Sequence, residues 1–217
     1  MVAAGSGSRL GRPEPKALVL LHGRPLLSWT LEALSAVPFA GRVIAAPPDR
    51  LEDVARIAVE GKVVAGGATR AQSIRLAFEA GGVAGENVIV VHDAARPFVS
   101  AREVEAVIQA AEEVGAATAA IPVPDTVKSV ERGRITGTLD RSSLWLAGTP
   151  QAFRGHILAR AFEAGREATD EAALCEELGL PVAAVPVSRL GFKITTPEDL
   201  ELAEAILARR GAERGGS

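Results

Sequence analysis

The chain has 217 residues, 47% of them apolar and 24% charged, with a formal net charge of −3. Those proportions exclude a largely disordered chain and suit one sizeable α/β domain, while the mild acidity offers nothing to bulk nucleic acid or an anionic membrane surface. A single cysteine, Cys175, excludes an intramolecular disulfide framework and any cysteine-cluster metal site; with no leader and no long apolar run, the chain reads as soluble and cytoplasmic.

The first element is a glycine loop, Ala3-Ala4-Gly5-Ser6-Gly7-Ser8-Arg9-Leu10-Gly11, followed by Pro15-Lys16. Small residues let the backbone turn tightly and approach a ligand. Successive N–H groups in such a turn form a nest for anions. Arg9 and Lys16 add the fixed positive charge that phosphates attract. The loop matches neither G-x-G-x-x-G nor G-x-x-x-x-G-K-[ST], so alone it also suits an ordinary surface turn. Only Met1 and Val2 stand where a buried strand is expected; either that strand is shortened or the start lies upstream.

Ala17–Leu21 is a short apolar run, and Pro25 opens a helix through Leu27, Leu31 and Leu34. Arg42–Ala46 reads as a strand, Leu51–Val59 as a helix and Lys62–Ala65 as a strand. Thr69 caps a helix across Ile74 and Phe78. The β-branched run Asn87–Val91 predicts a central parallel strand covered on both faces. Ser100-Ala101-Arg102-Glu103 is a capping box, and Ala116–Val123 the next strand. This alternation predicts a Rossmann-like, mostly parallel sheet with helices on both faces.

Residues 124–149 break the rhythm and read as a projecting β-hairpin arm whose faces need cover from a second subunit. Beyond it the pattern predicts a helix at 156–166 and another from Thr169-Asp170-Glu171 to Leu178. Pro181–Val187 and Phe192–Ile194 read as short strands. Thr196-Pro197-Glu198-Asp199 starts a final helix, and 211–217 reads as a frayed tail. No linker divides the chain, so 1–217 is one domain.

Chemistry-bearing residues cluster where strands end. His92-Asp93-Ala94-Ala95-Arg96-Pro97 follows the central strand, at the carboxyl edge where open α/β sheets bind ligands. Asp93 is placed either to hold a divalent cation or to cap a turn. Arg96 suits a phosphate grip or a brace on a carboxylate. Gly66-Gly67-Ala68-Thr69-Arg70-Ala71-Gln72-Ser73 is either a base or phosphate pocket or a plain helix start. Lys193 interrupts an apolar segment, and a buried lysine needs a charged partner or ligand.

With those residues in view, the chain resembles the 2-C-methyl-D-erythritol 4-phosphate cytidylyltransferases. The likeness runs from Ala3 to about Glu204 and rests on A-A-G-x-G-x-R at 3–9, P-K at 15–16, G-G-x-x-R-x-x-S at 66–73 and H-D-A-A-R-P at 92–97. It continues with D-T-x-K at 125–128, D-R-x-x-L-W at 140–145, T-P-Q at 149–151, T-D-E-A at 169–172 and K-I-T-x-P-E-D-L at 193–200. The resemblance implies transfer of CMP from CTP to methylerythritol phosphate with release of pyrophosphate. It implies CTP contacts from Ala3, Ala4, Gly5, Gly7, Arg9, Lys16, Gly67, Arg70 and Ser73, and Mg²⁺ on Asp93. Arg9, Lys16, Asp93 and Lys193 would carry the catalysis. Arg96, Thr149, Thr169 and Lys193 would face the acceptor, with Thr126 and Arg141 reaching it across a homodimer. Ala17 and Phe192 stand where glutamine and asparagine are common in the family. A cytidylyltransferase for another alditol phosphate such as ribitol 5-phosphate, a dinucleotide-dependent oxidoreductase and a non-catalytic nucleotide-binding subunit are the alternative readings.

Overall fold

The computed structural model describes residues 1–5, 7–82, 85–165 and 168–215; Ser6 of the glycine loop and the last two residues of the expected tail fall outside them. Two short strands, β1 (Leu20–Leu21) and β2 (Arg24–Pro25), turn on His22-Gly23 and lead into helix α1 (Leu26–Ala33). Strand β3 (Val43–Ala46), helix α2 (Leu51–Ile57), strand β4 (Lys62–Ala65) and helix α3 (Arg70–Gly81) follow. Next come β5 (Val88–Val91), α4 (Ala101–Val114) and β6 (Ala116–Pro122). The expected caps form: the Thr69 side chain accepts from Gln72 N, and Ser100 and Glu103 close a reciprocal capping box.

A hairpin of β7 (Val127–Glu131) and β8 (Arg134–Leu139) projects next, its strands pairing with each other and, among the described residues, with no other strand. The following strand, β9 (Trp145–Arg154), runs antiparallel between β5 and β6. It was not foreseen, and it takes residues 145–149 of the expected arm into the main sheet. Its Gly148, Thr149 and Pro150, joined to Thr149 by a cis peptide bond, look like a turn by composition. Strand geometry there is imposed by neighbours on both sides.

Helices α5 (Gly155–Glu163) and α6 (Glu171–Glu177), strand β10 (Ala183–Pro186) and helix α7 (Pro197–Gly215) complete the chain. One further expectation fails: Phe192–Ile194 is not a strand; it follows a 3₁₀ turn at Arg189–Gly191, with one backbone bond from Ile194 N to Ala95 O at 2.9 Å. Helix α7 runs on to Gly215, into the stretch expected as a tail.

Sheet order is β10-β6-β9-β5, then Val2, then β3-β4. Val2 makes parallel bridges to Ala45 on one side and Asp93 on the other. Met1–Ala3 is thus a minimal first strand holding the two halves together. Ala3 N donates to Ala45 O at 2.8 Å and Val2 N to His92 O at 2.9 Å. Within this sheet, among the described residues, only β9 runs against the others, so the Rossmann-like, mostly parallel expectation holds. Ile74, Leu158, Leu174 and Phe153 fill the core where α3, α5 and α6 cover one face; α1, α2 and α4 cover the other through Leu27, Val54, Val104 and Val107. No helix among the described residues is long and apolar enough to cross a membrane.

Candidate active site

A cleft of about 370 Å³ opens at the carboxyl ends of the strands, lined by Ala3–Gly5, Gly7, Arg9, Lys16, Gly67–Arg70, Ser73, Asp93–Ala95 and Lys193. Four cationic side chains and one carboxylate line it, an excess of positive charge that suits a polyanion. The glycine loop is closed by Leu10 N donating to Gly7 O at 2.8 Å and Lys16 N to Gly5 O at 3.1 Å. Gly7 sits at φ +73°, and a Cβ there would stand 2.8 Å from Glu14 O, so a side chain is excluded on both counts. A Cβ on Gly66 would stand 2.5 Å from the Ala4 Cβ, which fixes how closely the second loop approaches the first.

The turn before α3 is pinned by its own helix. Ser73 Oγ accepts from Gly67 N at 3.1 Å and donates to Thr69 O at 2.9 Å, while Gln72 Oε1 accepts from Ala68 N at 2.9 Å. Ser73 is buried and occupied by these bonds, so it shapes the pocket wall.

Asp93 anchors the floor. It is 5% exposed, with Lys193 Nζ 2.8 Å from Oδ2 and Arg70 Nε 3.3 Å from Oδ1. Arg96 Nε lies 3.7 Å from Oδ2. Burial pushes its pKa up, but Lys193, Arg70 and Arg96 overcome that and hold it well below the usual carboxylate range. The loop around it is fixed by Thr149 Oγ1, which accepts from Asp93 N at 3.1 Å, and by Thr30 Oγ1, which donates to Ala94 O at 2.7 Å. His92 is buried, its Nε2 is 3.2 Å from Arg96 O, and burial lowers its pKa to about 4. It is a neutral structural residue.

Lys16 is 9% exposed, and burial, with Lys193 and Arg9 repelling it, pushes its pKa down to about 8 against the pull of Asp93 and Asp199. In the free protein it therefore loses its proton as pH rises through about 8. Bound phosphates favour the charged form, so kcat/KM for the nucleotide should fall above that pH. In Lys16→Arg, which stays charged, the falling limb should vanish; the same limb in both proteins would assign it elsewhere.

The remaining expected residues are placed apart from the cleft. Arg96 is three-quarters or more covered, donates to Gly191 O at 2.9 Å and packs on Gly148, which makes it a brace beside Asp93. With Thr149 and Lys193 it lines a second groove of about 220 Å³, so the two cavities meet at Lys193. Thr169 is exposed just ahead of α6. Thr126 and Arg141 are exposed at the root of the arm, where Arg141 donates to Pro124 O, and neither lines the cleft.

A family model described as IspD, 2-C-methyl-D-erythritol 4-phosphate cytidylyltransferase, matches residues 1–209. The chain belongs to that family. Among its relatives, the cytidylyltransferase of Pelotomaculum thermopropionicum is 43% identical, covering 100% of this chain and 97% of that protein. That of Syntrophus aciditrophicus is 40% identical over 95% of this chain and 94% of that protein. A crystal structure of the enzyme from Thermus thermophilus superposes with a TM-score of 0.78 at 38% identity, covering 96% of each chain. That from Anaerococcus prevotii gives 0.81 at 27% identity, covering 95% of each.

One residue of this cytidylyltransferase site escaped the sequence. Glu171, 1% exposed, accepts from Arg70 Nη1 at 2.8 Å, so Arg70 is clamped between Glu171 and Asp93. Burial raises the Glu171 pKa, opposed by Arg70. In the sequence Glu171 looked like the first-turn acid of a capped helix, and Asp170 does cap α6. That Glu171 turns inward depends on where α3 lies, which no local pattern encodes. Glu171→Gln keeps the shape but drops the charge, and should lower kcat/KM about tenfold, the factor for ~1.4 kcal/mol. Steady-state kinetics checks this, with unchanged activity counting against the clamp.

Proposed function

We propose that this chain carries out its family's reaction in the cleft around Asp93, joining the 4-phosphate of 2-C-methyl-D-erythritol 4-phosphate to the CMP of CTP and releasing pyrophosphate. The observation that carries the reading is the charge pattern: Arg9, Lys16, Arg70 and Lys193 surround a glycine loop at the carboxyl edge of the sheet, with Asp93 the one acid among the lining residues. The loop's N–H groups and Arg9 take the departing pyrophosphate end of CTP. Lys16 and Lys193 lie either side of the α-phosphate. Gly67, Arg70 and Ser73 form the wall toward cytosine and ribose.

An anionic phosphate must attack a second anionic phosphorus, so catalysis is positioning plus neutralisation of charge that builds along the line of attack. The attacking phosphate is already ionised at neutral pH, and no nucleophilic side chain is needed; Cys175 is buried, its pKa pushed up to about 11 by burial. No group of three or more acidic, histidine or cysteine side chains that would cage a metal occurs among the described residues. One carboxylate in a phosphate site nevertheless fits Mg²⁺, which is held by one or two carboxylates together with substrate phosphates and water. Asp93 would hold it, and the ion would supply positive charge against the charge that builds on the phosphates.

The acceptor enters from the second groove, past Thr149 and Arg96 to Lys193, with Thr169 at the rim. Thr126 and Arg141 reach it from the arm of the other subunit in a cytoplasmic homodimer. Support for that arrangement is the apolar surface of the arm: Val130, Ile135 and Leu139 on the hairpin and Trp145 and Leu146 at its root are all exposed. Mixing Arg141→Ala with Lys16→Ala subunits should restore one working site per mixed dimer; absence of recovery would show that Arg141 does not act across the dimer. The function itself is tested by pyrophosphate release from CTP with Mg²⁺ and methylerythritol phosphate, and turnover only with ribitol 5-phosphate would replace the acceptor.

A further inference from the structure

A ring of polar groups runs behind the cleft, and one of its members touches neither cavity. Asp93 N donates to Thr149 Oγ1 at 3.1 Å. Two residues further along β9, Gln151 Nε2 donates to Asp170 Oδ2 at 2.9 Å. The next residue, Glu171, accepts from Arg70 Nη1 at 2.8 Å, and Arg70 Nε returns to Asp93 Oδ1 at 3.3 Å. The ring thus joins β9, the first turn of α6, the start of α3 and the Asp93 loop. Thr149 lines the second groove, and Arg70 and Asp93 line the cleft, but Gln151 lines neither.

The chemistry at position 151 is specific. Thr118 Oγ1 gives its proton to Gly148 O at 3.2 Å, so its oxygen is open to accept, and it does so from Gln151 Nε2 at 3.1 Å. Both neighbours of the amide nitrogen therefore require a donor, which neither an apolar residue nor a glutamate supplies. Gln151 Oε1 is left buried with no partner, as is Glu171 Oε1. Each such oxygen costs stability that an apolar side chain would not. What the ring gains is placement.

Placement matters most at α6. The helix spans Glu171–Glu177, about two turns, too short to fix its own start. Asp170 fixes it from both carboxylate oxygens: Oδ1 accepts from Ala173 N at 2.9 Å as the N-cap, and Oδ2 is held by Gln151. Glu171 follows directly, so its reach to Arg70 is set by where Asp170 sits. Arg70 carries a long side chain whose freedom is lost when it serves a ligand. The clamp removes that freedom in advance.

We propose that Gln151 is a positioning residue that holds Arg70 in place for the nucleotide through Asp170 and Glu171, a role that rests on the cleft being the CTP site.

The test is a pair of double-mutant cycles on kcat/KM for CTP, read by pyrophosphate release well below the melting temperature. Gln151→Met keeps the volume and removes the donor, and Glu171→Met removes the acceptor for Arg70. Asp170→Ser, at a partly exposed position, keeps an N-cap on α6 but is too short to reach Gln151. Gln151→Met and Asp170→Ser should each lower kcat/KM about tenfold. In the Glu171→Met background either change should cost less than about twofold, because residues acting through one network do not add. A side chain that merely supports the fold would multiply its loss onto that of Glu171→Met instead. Losses that multiply, or near wild-type kcat/KM in Asp170→Ser, would each overturn the proposal. A wild type that releases no pyrophosphate from CTP would remove the function above and the role of Gln151 with it, and the wild-type rate alone distinguishes that result from the other two.

Discussion

Lys16→Ala should lower kcat for pyrophosphate release by about 10²–10³, the loss that follows removal of one preorganised charge donor at a developing anion. Lys16 hangs from the closed glycine loop, buried, with its charge already disfavoured by Lys193 and Arg9. That repulsion is relieved only when phosphates enter, so the lysine is set up at the expense of the free protein. Removing it should therefore leave Tm unchanged or slightly raised while activity collapses. The loss should fall mainly on kcat, because negative charge at the α-phosphorus grows in the transition state. Differential scanning fluorimetry beside steady-state kinetics reads both quantities. A variant with near wild-type kcat would remove Lys16 from the mechanism, and one with a sharply lowered Tm would make it structural.

Much of this was legible because the signals were local. The caps at Thr69 and Ser100, the β-branched run into His92-Asp93, and the glycines before Lys16 each act over a few residues. Their positions at strand ends follow from the alternation alone. What escaped depends on contacts far apart in sequence. The strand Trp145–Arg154 contains Gly148, Thr149 and Pro150 and becomes a strand only because β5 and β6 offer it edges on both sides. Phe192-Lys193-Ile194 has strand-like residues but no neighbouring edge beyond the one bond to Ala95. Thr149 and Ser73 line the two cavities, and that their hydroxyls also hold Asp93 N and Gly67 N could not be read from the sequence. Glu171 and the buried Gln151, which donates to Thr118 Oγ1 at 3.1 Å and Asp170 Oδ2 at 2.9 Å, carry no sequence pattern that says which way they face. Polar groups that serve other polar groups are legible only once the chain is folded.

Lys193→Ala should cost activity on the same scale as Lys16→Ala, about 10² or more, but with the opposite effect on stability. Lys193 makes the shortest contact to Asp93, 2.8 Å, and is the largest influence keeping that buried carboxylate ionised. Without it the ion pairs left to Asp93 among the described residues are the longer ones to Arg70 at 3.3 Å and Arg96 at 3.7 Å. Breaking a buried pair leaves an incompletely compensated charge, so Tm should fall. The pH dependence carries its own sign. A carboxylate whose folded pKa lies below its unfolded value of about 3.9 adds stability above that pH and loses it as pH falls toward the folded value. The Tm gap between wild type and Lys193→Ala should be full at neutral pH and close progressively below about pH 4, as Asp93 takes up its proton in both proteins. Lys16→Ala, which removes a repelled charge, should show no such closing gap. Two lysines on one cleft would then be separated by stability alone, Lys193 as partner of Asp93 and Lys16 as a charge held for the substrate. Equal Tm responses in the two variants would mean that the Lys193–Asp93 pair contributes nothing to the fold.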